Sequence, residues 1–223
     1  MYLDVPMAFY TDEQRKVQAE FDSQPLADAL EIGIVAEELD EGHVSFIESR
    51  DFFFLSSVNA DGEPTVSHKG GDVGTVTVVD SKTLAFPAYD GNGMFLSVGN
   101  ISETAKIGML FIDFETPYRV RVQATATLHR DDELLAKYPG AILIVRAQVD
   151  RVFRNCARYI HKHTRVSASP YVPDESGHQP FPVWKRIDRL QGFLPAEDQA
   201  RTEAEGGVVT EDDYGAAVSA GES

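Results

Sequence analysis

The stretch of sequence best equipped for chemistry is Ser67-His68-Lys69, which is followed by Gly70 and Gly71. It brings a hydroxyl, an imidazole and an ammonium to the end of a predicted strand. Glycine has no Cβ, so a ligand can approach the backbone closely at this point. Two interpretations stay open: a ligand site at the strand end, or a hairpin turn whose polar side chains are solvated.

A second candidate segment, residues 86–95, is rich in glycine and asparagine and precedes a predicted short helix. Its turn would expose backbone N–H groups, and the N-terminus of the helix would attract an anion such as phosphate. Metal and dinucleotide motifs are not predicted. His161 and His163 have no second pair of ligands nearby, and the glycine spacing in residues 70–74 does not fit a dinucleotide fingerprint.

Hydrophobic periodicity predicts the elements that position these segments. Strands are predicted at residues 52–58, 64–67, 73–79, 83–86, 106–113, 119–130 and 141–153, and helices at 11–22, 25–39 and 43–50, with short helices within 90–104 and 131–137. About seven strands with mostly tight turns are typical of an antiparallel barrel. The sequence therefore predicts a mainly β (α+β) fold with N-terminal and peripheral helices.

Charge and composition divide the 223 residues into three parts. The net charge is -16, and residues 1–50 and 196–223 carry the whole excess of acidic residues. We predict an N-terminal helical arm (1–50), a barrel with a C-terminal extension (51–195) and an acidic flexible tail (196–223).

An acidic chain repels nucleic acid. The single cysteine, the start MYLDVPMAFY without a basic targeting region, and the lack of a long apolar run predict a cytoplasmic protein without a membrane span.

Three stretches together resemble the pyridoxamine 5'-phosphate oxidase-like flavoproteins. They are TVSHKGG at 65–71, LAFPAYDGNGMFLSVGNI at 84–101 and KIGMLFIDFETPYRVRVQATATL at 106–128, and the resemblance extends over residues 30–195. It implies an antiparallel split β-barrel of six to seven strands. It also implies a homodimer that holds FMN between its subunits and acts on a small-molecule substrate.

The resemblance also implies site residues. The expected FMN contacts are Ser67, His68, Lys69, Gly70, Asn92, Gly93, Met94, Ser97 and Asn100, with Trp184 and Lys185 supplied by the partner subunit. His68 is the expected proton donor or acceptor, and Lys69 is expected to stabilise negative charge on the flavin. The sequence departs from the family's phosphate-gripping Ser-Arg-Lys motif, because the corresponding residues are Phe95, Leu96 and Ser97.

Three functions remain open at this stage. The first is a flavin-dependent oxidoreductase, in which the cofactor carries the chemistry. The second is a barrel that binds FMN, or another planar ligand such as haem, without turnover. The third is a dimeric scaffold that has lost its cofactor. This hypothesis is supported by Leu96, which stands where the family has a phosphate-binding cation. The sequence does not separate FMN from a deazaflavin.

Overall fold

The computed structural model describes residues 8–221. The first seven residues, on which part of the targeting prediction depends, and the last two lie outside the described residues. The chain divides into two compact units, residues 1–165 and 166–223.

The first unit is built on one antiparallel sheet of eight strands. They are β1 (Val35–Ala36), β2 (Phe52–Val58), β3 (Pro64–Gly70), β4 (Thr77–Asp80), β5 (Thr83–Tyr89), β6 (Lys106–Asp113), β7 (Tyr118–His129) and β8 (Ala141–Arg154). Their order is β3-β2-β6-β7-β8-β5-β4, and β1 pairs with β8. The predicted antiparallel split barrel of the α+β class is confirmed, with the two-residue β1 as an additional strand.

Four α-helices accompany this sheet: α1 (Asp12–Glu20), α2 (Gln24–Ile34), α3 (Glu41–Glu48) and α4 (Leu96–Thr104). A 3-10 helix, Glu133–Lys137, precedes β8. A capping box begins α1, because the Thr11 side chain accepts from the N–H of Gln14 while the Gln14 side chain accepts from the N–H of Thr11.

Strict alternation of side chains gives the sheet one buried face. In β7, Val120, Val122, Ala124 and Ala126 are buried, as the sequence pattern predicts. The same face of the neighbouring strands supplies most of the remaining core, including three aromatic rings. The Phe53 ring lies 5.1 Å from that of Phe86 and 5.4 Å from that of Phe111.

Three predicted boundaries differ from the structure. The strand predicted at 73–79 begins only at Thr77, because a turn at residues 72–75 places Gly74 at a φ of +82°. The helix predicted at 25–39 ends at Ile34, because the next two residues pair with β8. Strand β3 extends to Gly70, so the polar run lies within the strand rather than beyond its end.

The second unit contains two 3-10 helices, Val183–Arg186 and Asp188–Phe193, followed by α5 (Ala196–Ala204) and α6 (Glu211–Ala220). An isolated parallel bridge joins Ile187 to Val209. Residues from 196 onward, for which composition predicts a flexible tail, thus contain two helices. A capping box at Thr210 begins α6, and Gly221 ends it in the left-handed region. The division into arm, barrel and tail stays a prediction.

Substitution of Phe53 by alanine tests the core. Phe53 is fully buried between two other rings. Removing it should lower the free energy of unfolding by about 3–5 kcal/mol, measured by urea denaturation. The matched control is Phe21→Ala, because Phe21 is 71% exposed and should change stability by less than about 0.5 kcal/mol. Equal losses in the two variants would contradict this assignment of the core.

Candidate functional site

The register between β2 and β3 determines which polar side chains point into the barrel. Lys69 pairs with Phe53, and Ser67 pairs with Leu55. Phe53 and Leu55 are both 1% exposed. Directly paired residues share one face of a sheet, so Ser67 and Lys69 lie on the inner face.

Helix α4 covers part of this inner row through a network of polar side chains. The hydroxyls of Ser67 and Ser97 are 3.1 Å apart. The Asn100 amide donates to the hydroxyls of Ser57 at 3.1 Å and of Thr65 at 3.4 Å. Ser97, Asn100 and Ser57 are buried. The structure thus brings together three predicted site residues, Ser67, Ser97 and Asn100, and their hydrogen bonds attach the helix to the strands.

Sequence reasoning missed Ser57 and Thr65 as members of this network. The signal was available, because Ser57 is the third position of the inner row that begins with Phe53 and Leu55. A buried hydroxyl in such a row requires a hydrogen-bond partner. The Thr104 hydroxyl extends the network by donating to the carbonyl of Val58 at 2.7 Å.

Lys69 is the cation of the inner row. Its side chain is half-buried, and burial lowers the pKa of its ammonium below the ordinary value. Within residues 8–221 it has no hydrogen-bond or ion-pair partner. A partly buried ammonium without a counter-ion is costly, and an anionic ligand would relieve that cost.

His68 lies on the opposite, outer face of β3. Its exposed ring stacks on that of Phe52, with centroids 5.3 Å apart, and meets the edge of Phe54. Phe52 in turn stacks on Phe114 at 6.1 Å. His68 and Lys69, both predicted to contact FMN, therefore point to opposite sides of the strand, because successive side chains alternate.

The segment before α4 is open to solvent. The Asn92 side chain accepts a hydrogen bond from the N–H of Met94 at 3.0 Å, and Gly93 has a φ of +75°. Phe95 occupies the N-cap position in the left-handed region, and no described side chain caps the helix. Met94 and Leu96 are exposed. The first N–H groups of α4 are thus available to a ligand.

The remaining predicted contacts lie elsewhere. Gly70 ends β3 opposite Phe52. Trp184 and Lys185 belong to the second unit, where the ammonium of Lys185 lies 2.9 Å from the carboxylate of Asp198 and 5.9 Å from the Trp184 ring centroid. The charge of Lys185 is therefore balanced within its own unit.

No group of three or more potential metal-ligating side chains occurs within residues 8–221. In that same range, no helix is long and apolar enough to cross a membrane.

Solved structures similar to the chain include a provisionally assigned pyridoxamine 5'-phosphate oxidase of Lactobacillus delbrueckii, at 29% identity and a TM-score of 0.45, over 53% of this chain and 95% of that one. An FMN-binding protein of Syntrophomonas wolfei matches at 13% identity and a TM-score of 0.40, over 64% and 96%. The haem storage protein HutZ of Vibrio cholerae matches at 18% identity and a TM-score of 0.38, over 49% and 89%.

A search of curated protein sequences gave no significant match. The model of the family described as pyridoxamine 5'-phosphate oxidase, in contrast, matches residues 39–166, which is more than half of the 223 residues. This range contains β2 to β8 and α4, and with them the inner row of β3. The chain therefore belongs to the pyridoxamine 5'-phosphate oxidase family.

Proposed function

We propose that the chain is an FMN-binding flavoprotein that acts as an oxidoreductase on a small-molecule substrate. The observation that carries the proposal is the half-buried ammonium of Lys69 on the inner face, which has no partner among residues 8–221. Lys69 is the next residue of the inner row after Ser67, whose hydroxyl contacts that of Ser97. Bound FMN would supply the redox chemistry by accepting or donating hydride.

The residues around Lys69 suit the phosphate of such a cofactor. An ammonium binds phosphate through a charge-assisted hydrogen bond. The uncapped first turn of α4 adds backbone N–H groups and the positive end of the helix dipole. These groups would take the place of the cation that is missing at Leu96. Asn92, Gly93 and Met94 lie just before this turn, which supports their proposed place around the ribityl chain.

We further propose that the protein is a homodimer with the outer face of β2 and β3 at its interface. This face carries the stacked rings of Phe52 and His68, and Val66 on the same row is 71% exposed. Apolar and aromatic side chains exposed side by side are typical of an interface. Trp184 and Lys185 of the partner subunit are proposed cofactor contacts, as the family resemblance implies.

Separate roles for His68 and Lys69 follow from their opposite orientations. Lys69 would hold the phosphate or stabilise negative charge on the flavin from the inner face. His68 would exchange a proton with the substrate at the proposed interface, where an imidazole is suited to acid–base work near neutral pH. A cytoplasmic location, expected from the single cysteine, is part of the same proposal.

The first experiment compares Lys69→Met with the wild type, using FMN and riboflavin as ligands. Because the charge of Lys69 is proposed to meet the phosphate, FMN affinity should fall at least about tenfold, while riboflavin affinity should change less than about twofold. Quenching of flavin fluorescence measures both affinities. Lys82→Met is the matched control, since the side chain of Lys82 is 45% exposed and its ammonium is paired with Glu38.

Stability of the apo-protein provides a second measurement on the same variant. A lowered pKa in the folded state means that the charged ammonium costs stability in full below that pKa, and that the cost is lost as pH rises from the folded-state pKa to the ordinary lysine pKa. Lys69→Met should therefore unfold at the same or a higher temperature than the wild type at pH 7. Loss of riboflavin and FMN affinity in equal measure, or a destabilised apo-protein, would contradict the assigned role.

The dimer proposal predicts that Val66→Asp disrupts association. An unpaired carboxylate buried in an apolar interface is strongly unfavourable. Sedimentation velocity should show the wild type at twice the chain mass and the variant at the mass of one chain. The control is Ile32→Asp on α2, which is 87% exposed and lies away from this face. A variant that stays dimeric would place the interface elsewhere.

A further inference from the structure

A groove of about 660 Å³ lies outside the barrel, between the α1–α2 hairpin and the outer face of β7 and β8. Val17 of α1 and Leu30 of α2 form its walls, and Arg121, Phe153 and Asn155 form its floor. Phe153 pairs with Arg121 of β7, so the two side chains share the outer face. The groove is thus separated from the inner row of Ser67 and Lys69 by the sheet itself.

Contacts between α1, α2 and Tyr10, which also lines the groove, hold the hairpin that forms the walls. The guanidinium of Arg15 pairs with Asp28 and Glu31 and lies 4.5 Å from the Tyr10 ring centroid. The Tyr10 hydroxyl donates to the carbonyl of Ala27 at 3.3 Å. These contacts tie α1 to α2 without filling the space below them.

Apolar surface in the groove is left uncovered. Val17 is 54% exposed and Leu30 is 42% exposed. No residue of either helix is buried. The rings of Phe9 and Phe153, which both line the groove, meet edge to face with centroids 5.3 Å apart. Concave apolar surface of this volume is typical of small-molecule sites.

Two polar groups in the floor lack partners in the described part of the chain. Arg121 is exposed, and its guanidinium has no hydrogen bond or ion pair within residues 8–221. The side-chain oxygen of Asn155 is fully buried and has no hydrogen-bond partner there. A buried polar atom without a partner is unusual in a folded protein and indicates a partner from outside.

We propose that this groove binds a small apolar monocarboxylate that also carries an O–H or N–H donor. The carboxylate would pair with Arg121, whose planar fork of donors matches two carboxylate oxygens. The donor would satisfy Asn155, and the apolar part would cover Val17 and Leu30. A single negative charge fits best, because Glu13 also lines the groove and the net charge is -16.

The test uses 3-hydroxydecanoate as the probe and isothermal titration calorimetry on the full chain. The wild type should bind one molecule per chain, and Arg121→Gln should weaken binding at least about tenfold. Arg130→Gln, which removes an equal charge from an exposed position outside the groove, should bind as the wild type does. Decan-1-ol, which keeps the chain and a hydroxyl but lacks the carboxylate, should bind at least about tenfold more weakly than the acid.

A second variant tests the apolar wall. Leu30→Asp should also weaken binding of the probe, with the thermal unfolding temperature measured to verify that the variant is folded. The proposal is overturned if the wild type does not bind the acid, if Arg121→Gln binds it equally well, or if the alcohol binds as tightly. It is also overturned if Leu30→Asp changes the sedimentation mass, because the groove would then be covered by a second copy of the chain.

Discussion

The location of each candidate group in the barrel depends on the pairing of β2 with β3. A slip of one residue would move Lys69 and Ser67 to the outer face and His68 to the inner face. Phe53 and Leu55 hold this register, because both side chains are buried on the inner face. A slip of β2 by one residue would turn them to the outer face and expose their apolar surface to water. The packing of three aromatic rings thus determines where the cation of the site lies.

The docking of α4 follows from the same register. Ser57 and Thr65 pair across the two strands, and their hydroxyls, 3.1 Å apart, meet the Asn100 amide. Ser67 reaches Ser97 in the same way one position further along the row. Within residues 8–221, every polar side chain of this row except Lys69 has a hydrogen-bond partner. Lys69 is the next residue of the row after Ser67, whose partner Ser97 lies in the uncapped first turn of α4.

Much of this arrangement could be predicted from the sequence. Alternation in residues 119–130 predicted the buried face of β7, and the turn-rich spacing predicted an antiparallel barrel. The family resemblance predicted that Ser67, Ser97 and Asn100 lie in one region, and the structure places them together.

The extent of β3 could not be predicted, because residues 68–70 are added to the strand by pairing with β2 rather than by their own propensity. Opposite orientations of His68 and Lys69 follow only from that pairing. The short β1 likewise depends on a partner more than 100 residues away, since Val35 pairs with Phe153.

The groove under the α1–α2 hairpin was also beyond the reach of the sequence. Its floor comes from β7 and β8 and its walls from the N-terminal helices, so its residues are separated by about 100 positions along the chain. Because side chains alternate along a strand, Arg121 lies on the face opposite the buried row of β7. What the sequence could not predict is that two helices cover this part of the sheet and form a groove that includes the Arg121 guanidinium, which has no partner within residues 8–221.

The proposed cofactor site is tested most directly by the pKa of the Lys69 ammonium, followed by nuclear magnetic resonance of the side-chain nitrogen in lysine-labelled protein. The account predicts that this pKa lies below the ordinary lysine value of about 10.4 in the apo-protein and rises on saturation with FMN but not with riboflavin. A pKa that stays unchanged on saturation with FMN would contradict the contact between Lys69 and the phosphate, and with it the central claim.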